Sequence, residues 1–200
     1  MPEVTVTEPT DQLTKSQAAR RARVISVAME LASEGGYDAV QMRDVATQAN
    51  VALGTIYRYF LGKDHLLAAA LVEWVRDLER RVLLRPPKGD TVAERVADIL
   101  HRATSAMERD PKLSAAVVTA LTKPDPQVAE CQEEVTVVMT RIQAVAFPPD
   151  FDQELRERIF SALSYVWFAS LLGWVNGWGG IGEAGAELSS AVHLILDQYD

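Results

Sequence analysis

The sequence predicts an all-α protein of about nine helices, with a three-helix N-terminal segment and a larger helical body. Three observations predict it. Apolar residues recur at three- and four-residue intervals from Lys15 nearly to the C-terminus. No run alternates apolar and polar residues between hairpin turns. Pro and Gly gather in short breakers, "RPPKGD", "KPDPQ", "FPPDFD" and "GWGGIGEAG".

The elements follow in order. Residues 1–13 are rich in Thr, Pro, Glu and Val without a helical period, and read as a disordered arm. A first helix is expected over 16–33, with Val24, Ala28 and Leu31 on one stripe and Gly35-Gly36 as its stop. A second, over 42–49, carries Met42, Val45, Ala46 and Ala49 on one face. A short turn through Asn50-Val51 leads to a third over 53–60. Lys63-Asp64 opens a long fourth helix to about Leu84, ended by the prolines of "RPPKGD".

In the body, Thr91-x-x-Glu94 has the spacing of a capping box, which places a fifth helix after Thr91. Asp110-Pro111 starts a sixth with a capping Asp and Pro at its first position. A seventh is expected over 127–146 and an eighth over 153–176. "GWGGIGEAG" reads as a flexible connection, and a ninth helix covers 186–198. The chain therefore divides into an arm (1–13), a first domain (14–62) and a second domain (63–200).

Composition narrows the function. One cysteine, Cys131, excludes an internal disulfide framework and fits a reducing compartment. No signal-peptide pattern opens the chain, and the apolar stretch 162–175 is short and interrupted by Ser164, Ser170 and Gly173, so a cytoplasmic protein without a membrane partner is expected. Net charge is −8. Residues 12–63 nevertheless hold seven Lys/Arg against four Asp/Glu, while 64–200 hold 13 against 21. A basic front on an acidic body suggests two tasks.

The stretch "GTIYRYF", 54–60, says what the front does. Successive helical residues turn by about 100°. Ile56 and Phe60 then share a buried edge, Arg58 and Gly54 point away from it, and Thr55, Tyr57 and Tyr59 lie on the flanks. A guanidinium that can bridge guanine O6 and N7, hydroxyls that can donate to phosphates and a glycine that permits close backbone approach suit a helix lying in a DNA groove. The second and third predicted helices then make a helix-turn-helix whose third helix reads.

Residues 15–67 resemble the DNA-binding domain of TetR-family transcriptional regulators. The run "GGYDAVQMRDVATQANVALGTIYRYFLGKDHLL" carries the likeness, with Gly36-Tyr37, Val51, Gly54-Thr55-Ile56-Tyr57, Phe60 and Lys63 in the family's places. The resemblance implies that Arg43 reaches a base or phosphate and that Thr55, Tyr57 and Tyr59 hold the backbone. Arg58 and Gly54 then face the groove, and Lys63 meets a phosphate. Three positions depart from the pattern. Ala52 stands where relatives carry a capping Ser or Thr, Leu53 where a polar residue is frequent (Leu53 can instead touch a thymine methyl), and Gly62 where a capping Ser is frequent. Arg20, Arg21 and Arg23 are candidates for an arm entering a minor groove.

The same resemblance implies a homodimer on a near-palindromic double-stranded operator and a small hydrophobic effector. Within the family, "AVQMRDVATQANVALGTIYRYF" looks especially like steroid-catabolism repressors of actinobacteria, a likeness that lies in the DNA-reading segment; a repressor with a steroid- or lipid-derived effector is the overall expectation. Dimerisation through the last two helices is implied, and Leu163, Val166 and Ser170 form a stripe assigned to that seam. Met107, Met139, Trp167, Leu171 and Trp174 are the effector candidates, with core packing as the competing explanation. His65, His101 and His193 are scattered, and no phosphate loop or paired metal motif occurs. Neither an enzyme nor a cofactor or metal is therefore expected. Two other readings stay open: a DNA-binding or scaffolding protein without ligand, and a helical enzyme using the apolar body.

Overall fold

The computed structural model describes residues 13–199, so the expected arm, apart from Leu13, lies outside the described residues. Among them are nine α-helices and no strand: α1 Lys15–Gly35, α2 Met42–Gln48, α3 Leu53–Tyr57, α4 Lys63–Leu84, α5 Val92–Glu108, α6 Pro111–Leu121, α7 Pro126–Ala144, α8 Gln153–Val175 and α9 Ile181–Leu196. The all-α expectation holds.

Two compact units make up the chain. The first joins the chain up to Leu71 with Lys112–Gln132, and the second joins Val72–Pro111 with the chain from Glu133 onward. These units differ from the expected division at 62/63, because the first turns of α4, α6 from Lys112 onward and the start of α7 group with the three-helix segment.

In the first unit Val24, Ala28, Val45, Ala49, Ile56, Phe60, Leu66 and Leu67 are buried. Full burial of a residue such as Ile56 stabilises by about 1.5–3 kcal/mol. Thr14 caps α1 in a capping box with Gln17, and Gly36 ends it at φ 73°, a left-handed conformation that costs glycine little. The turn between α2 and α3 needs a positive φ as well. Asn50 supplies it at φ 50°, which Asn tolerates better than most residues. The Val51 N–H then returns to the Ala46 carbonyl at 3.0 Å. Lys112 at the start of α6 donates to the Glu34 carbonyl at 2.8 Å, tying α6 to the end of α1.

In the second unit α5 packs on α9 and α8 packs on α9. The capping box at Thr91 and Glu94 forms as the spacing predicts. The glycine-rich stretch does not. Gly177 takes φ 77°, the Trp178 N–H bonds the Gly173 carbonyl at 2.9 Å and the Gly177 N–H bonds the Trp174 carbonyl at 3.0 Å. That pair of bonds is a Schellman stop. α9 then begins at Ile181, five residues before the expected start, because the Glu183 carboxylate reaches back to the Gly180 N–H at 3.1 Å. A carboxylate cap outweighs the low helix propensity of Gly182 and Gly185.

Candidate DNA-reading face and effector groove

The candidate reading face is built by α2 and α3. Arg43, in the first turn of α2, is exposed. α3 is shorter than expected and stops at Tyr57, with Arg58 as its C-cap. Gly54 is exposed, and a Cβ there would meet nothing within 4 Å, so a ligand could approach its backbone closely. Tyr57 is 44% exposed, Arg58 is exposed, and Thr55 and Leu53 are half-buried. Arg43, Gly54, Tyr57 and Arg58 thus stand at the surface of one helix-turn-helix.

Tyr59 departs from the expected flank position. It is only 7% exposed and its hydroxyl is buried without a hydrogen-bond partner, which leaves it unable to reach a phosphate in this conformation. Its ring packs beside Phe60, with the Arg58 guanidinium 6.0 Å from its centroid. The helical rotation that placed Tyr59 outward no longer applies beyond Tyr57, where the helix ends.

Lys63 is held inside its own unit. Its ammonium lies 3.8 Å from the Tyr37 ring centroid and donates to the Tyr37 carbonyl at 3.3 Å. The Tyr37 hydroxyl donates to Asp64 at 2.5 Å, and Lys123 approaches the same ring at 5.8 Å. Burial first, then the bond to Asp64, push the Tyr37 phenol up to about 12. Tyr37 thereby locks the start of α4 and its Lys63. The sequence pattern contained this tyrosine but gave it no partner, since Tyr37 and Lys63 are 26 positions apart.

The arginines of α1 are structural in part. Arg23 donates from Nε to the Ala49 carbonyl at 2.8 Å, and the Arg21 guanidinium lies 5.3 Å from the Phe60 ring centroid. Both sit on a helix rather than on an arm. His65 is buried, accepts the Leu61 N–H at Nδ1 over 3.2 Å and meets the Phe60 ring edge-on. Burial holds its imidazole below the usual histidine range, against the pull of Asp125 and with help from Arg21.

The second unit contains a groove of about 1030 Å³ formed by α4, the "RPPKGD" loop and α5. Trp74, Leu78, Val82 and Leu84 give it apolar lining, and Arg85, Lys88 and Arg109 stand around it. Arg102, also in the lining, is committed to Asp98 and to the carbonyls of Arg85 and Pro86. An apolar groove ringed by cations suits an amphipathic anion. The signal for it was the run "LLRPPK", which reads as a helix breaker until α5 is folded against it.

The effector candidates lie elsewhere in the same unit. Met107, Met139 and Leu171 are buried, Trp167 and Trp174 half-buried, and the Trp167 indole N–H is buried without an acceptor. Of the seam candidates, Leu163 is 1% exposed within its own chain and has no surface left to offer, while Val166 and Ser170 are half-buried. Ser170 donates to Glu187 at 2.8 Å. Among the described residues no group of His, Cys, Asp and Glu is arranged to hold a metal ion.

Residues 24–70 match the model of bacterial regulatory proteins, tetR family, and residues 89–195 match the tetracyclin repressor-like C-terminal domain. The chain belongs to the TetR family. Among TetR-family relatives, the HTH-type transcriptional repressor KstR of Rhodococcus jostii (strain RHA1) is 36% identical over 186 residues, covering 93% of this chain and 87% of that protein. The likeness to KstR therefore extends beyond the reading segment. The crystal structure of a TetR transcriptional regulator from Rhodococcus sp. RHA1 superposes with a TM-score of 0.83 at 28% identity, covering 93% of this chain and all of that one. Thermus thermophilus FadR, a TetR-family repressor, shares the fold with a TM-score of 0.63 at 22% identity over 88% of this chain and 92% of that one. The relatives are named as transcriptional regulators and not as enzymes, in keeping with the absence of a catalytic motif.

Proposed function

We propose that this TetR-family regulator is a dimeric repressor that binds a near-palindromic operator and is released by a lipid-derived effector. Residues 14–62 would carry DNA binding and 63–200 effector binding and dimerisation. The observation that carries the reading is the surface made by Arg43, Gly54, Tyr57 and Arg58 on the helix-turn-helix. Acting on DNA puts the protein in the cytoplasm.

The effector class rests on the groove. Arg85, Lys88 and Arg109 have no ion-pair partner among the described residues, and they stand beside Trp74, Leu78 and Val82. An acyl chain or fused-ring body on the apolar lining, with phosphate or carboxylate groups on the cations, fits that pattern. FadR of Thermus thermophilus was crystallised with lauroyl-CoA and FadR of Bacillus subtilis with stearoyl-CoA, molecules of this kind. The buried Met107 and Met139 and the half-buried Trp167 would line a deeper part of the site.

Dimerisation is supported by α8. By length and composition this helix could cross a membrane, yet only 28% of its apolar window is buried within the protomer. A second copy covering it removes apolar surface from water, which is how two-fold dimers are held.

Selection of duplexes from a random pool tests DNA reading: enrichment of an inverted repeat is expected, and no enriched sequence would overturn the proposal. Adding stearoyl-CoA, stearate or CoA to the selected complex tests the effector. Release by the thioester at concentrations where CoA alone is inert is expected. Equal inertness of all three would leave a ligand-free DNA-binding protein as the reading.

A further inference from the structure

Asp98 stands among cations in the described lining of the groove between α4 and α5, with Arg85, Lys88, Arg102 and Arg109 around it. On charge alone a carboxylate there opposes an anionic ligand. Its contacts give it a different task. The connection "RPPKGD", 85–90, holds two prolines and belongs to no helix or strand, so its carbonyls have no regular partner.

One stripe of α5 supplies those partners. Arg102 donates from Nη1 to the Arg85 carbonyl at 2.7 Å and from Nη2 to the Pro86 carbonyl at 3.2 Å. Arg95 donates from Nη1 to the carbonyls of Gly89 at 3.3 Å and Asp90 at 3.1 Å. Asp98 accepts the Lys88 N–H at 3.0 Å and pairs with Arg102 at 2.5 Å. Arg95, Asp98 and Arg102 follow one another at three and four residues, so they share a face of the helix. The same face continues through Ser105 to Arg109, again three and four residues on, and both line the groove.

The side chains of Arg85 and Lys88 take no part in this grip. Both are exposed, and neither joins an ion pair among the described residues. Their backbone is fixed while their cationic ends stay available. Cations presented from a fixed backbone lose less freedom when an anion binds. Asp98 thus offsets its own charge by holding two positive ones in place.

We infer that Asp98 and Arg102 are positioning residues of this groove: through the backbone of 85–88 they set where Arg85 and Lys88 present their charge to an anionic ligand. This inference rests on the effector reading above. The sign of one substitution separates positioning from plain electrostatics. Asp98→Ala removes a negative charge from the wall, so charge alone predicts tighter binding of an anion. Positioning predicts a Kd for stearoyl-CoA raised about tenfold, the scale of ordering one or two long side chains. Arg102→Lys keeps the positive charge but lacks the planar fork that spans two carbonyls, and should weaken binding alike. Calorimetric titration of the full chain measures both, with effector-free operator affinity at the wild-type value as the check on folding. Unchanged or tighter binding in Asp98→Ala would overturn the inference.

A second titration shows whether Asp98 acts through its two cations. In an Arg85→Ala/Lys88→Ala background, Asp98→Ala should change the Kd by less than about twofold, because the groups it positions are gone. The full loss appearing there as well would place its effect elsewhere in the fold and sink the inference. Wild-type protein that binds no stearoyl-CoA, or binds it equally well after Arg85→Ala/Lys88→Ala, would remove the groove reading and this inference with it, an outcome distinct from the other two.

Discussion

Arg58 caps α3 on its exposed side, and the loss expected from removing it depends on what it reads. Arg58→Ala should reduce discrimination between operator and unrelated DNA by about 1–3 kcal/mol, the range of a bidentate guanine contact. Competition binding with both duplexes measures it; unchanged discrimination would remove Arg58 from base reading. His65 acts at the same scale through its acceptor nitrogen. Its folded pKa is lowered, so below the unfolded value of about 6.5 the unfolded chain binds a proton that the folded chain refuses. Stability from this group is present above that value and is lost as pH falls towards the folded pKa. The denaturant midpoint of wild type should therefore fall more steeply between pH 7 and 5 than that of His65→Asn, which keeps an acceptor for Leu61 without the titration. Parallel pH profiles would show that His65 carries no linkage.

At the scale of the element, the turn between α2 and α3 sets the reading helix. Asn50 sits at φ 50°, a conformation that costs an ordinary side chain about 1–2 kcal/mol. Asn50→Ala should destabilise by about 1 kcal/mol, and Asn50→Gly should be neutral or stabilising, as read by thermal unfolding. α3 itself lacks a side-chain cap, because Ala52 occupies the N-cap with extended φ and ψ. Ala52→Ser should add about 1 kcal/mol without altering the fold. If Ala52→Ser leaves the melting temperature unchanged, the first turn of α3 gains nothing from a cap. Caps and breakers were the elements best legible beforehand: the Thr91–Glu94 box and the Asp110-Pro111 start appear where their spacing puts them. "GWGGIGEAG" was misread because glycine content suggests freedom, whereas one carboxylate and one left-handed glycine suffice to stop α8 and restart α9.

At the scale of the whole molecule, the proposed release by an effector makes operator binding and effector binding linked equilibria. An effector that weakens operator binding by some factor must itself bind more weakly to the operator-bound protein by the same factor. Titrating stearoyl-CoA into the protein with and without saturating operator should give dissociation constants differing by that factor, about 5–150-fold for an ordinary coupling of 1–3 kcal/mol. Equal constants would mean that the groove ligand is not the inducer. Arg85→Ala/Lys88→Ala should weaken the thioester while leaving effector-free operator affinity unchanged.

The sequence by itself determined the nine helices, the helix-turn-helix and the residue types of its reading face. Those features rest on forces acting within one or two turns of chain: periodicity, caps, prolines and glycines. The resemblance in 15–67 added the family, and the family matches and relatives bear it out. The tertiary structure alone decided three further things. It turned Tyr59 inward, because α3 ends at Tyr57 and the helical rotation ends with it. It clamped Lys63 on Tyr37 and assembled Arg85, Lys88 and Arg109 around one groove, since neither arrangement has a local signal. It also chose which stripe of α8 is covered. A helix apolar on most sides offers several faces of equal appearance, and only the neighbours packed against it determine which of them is covered.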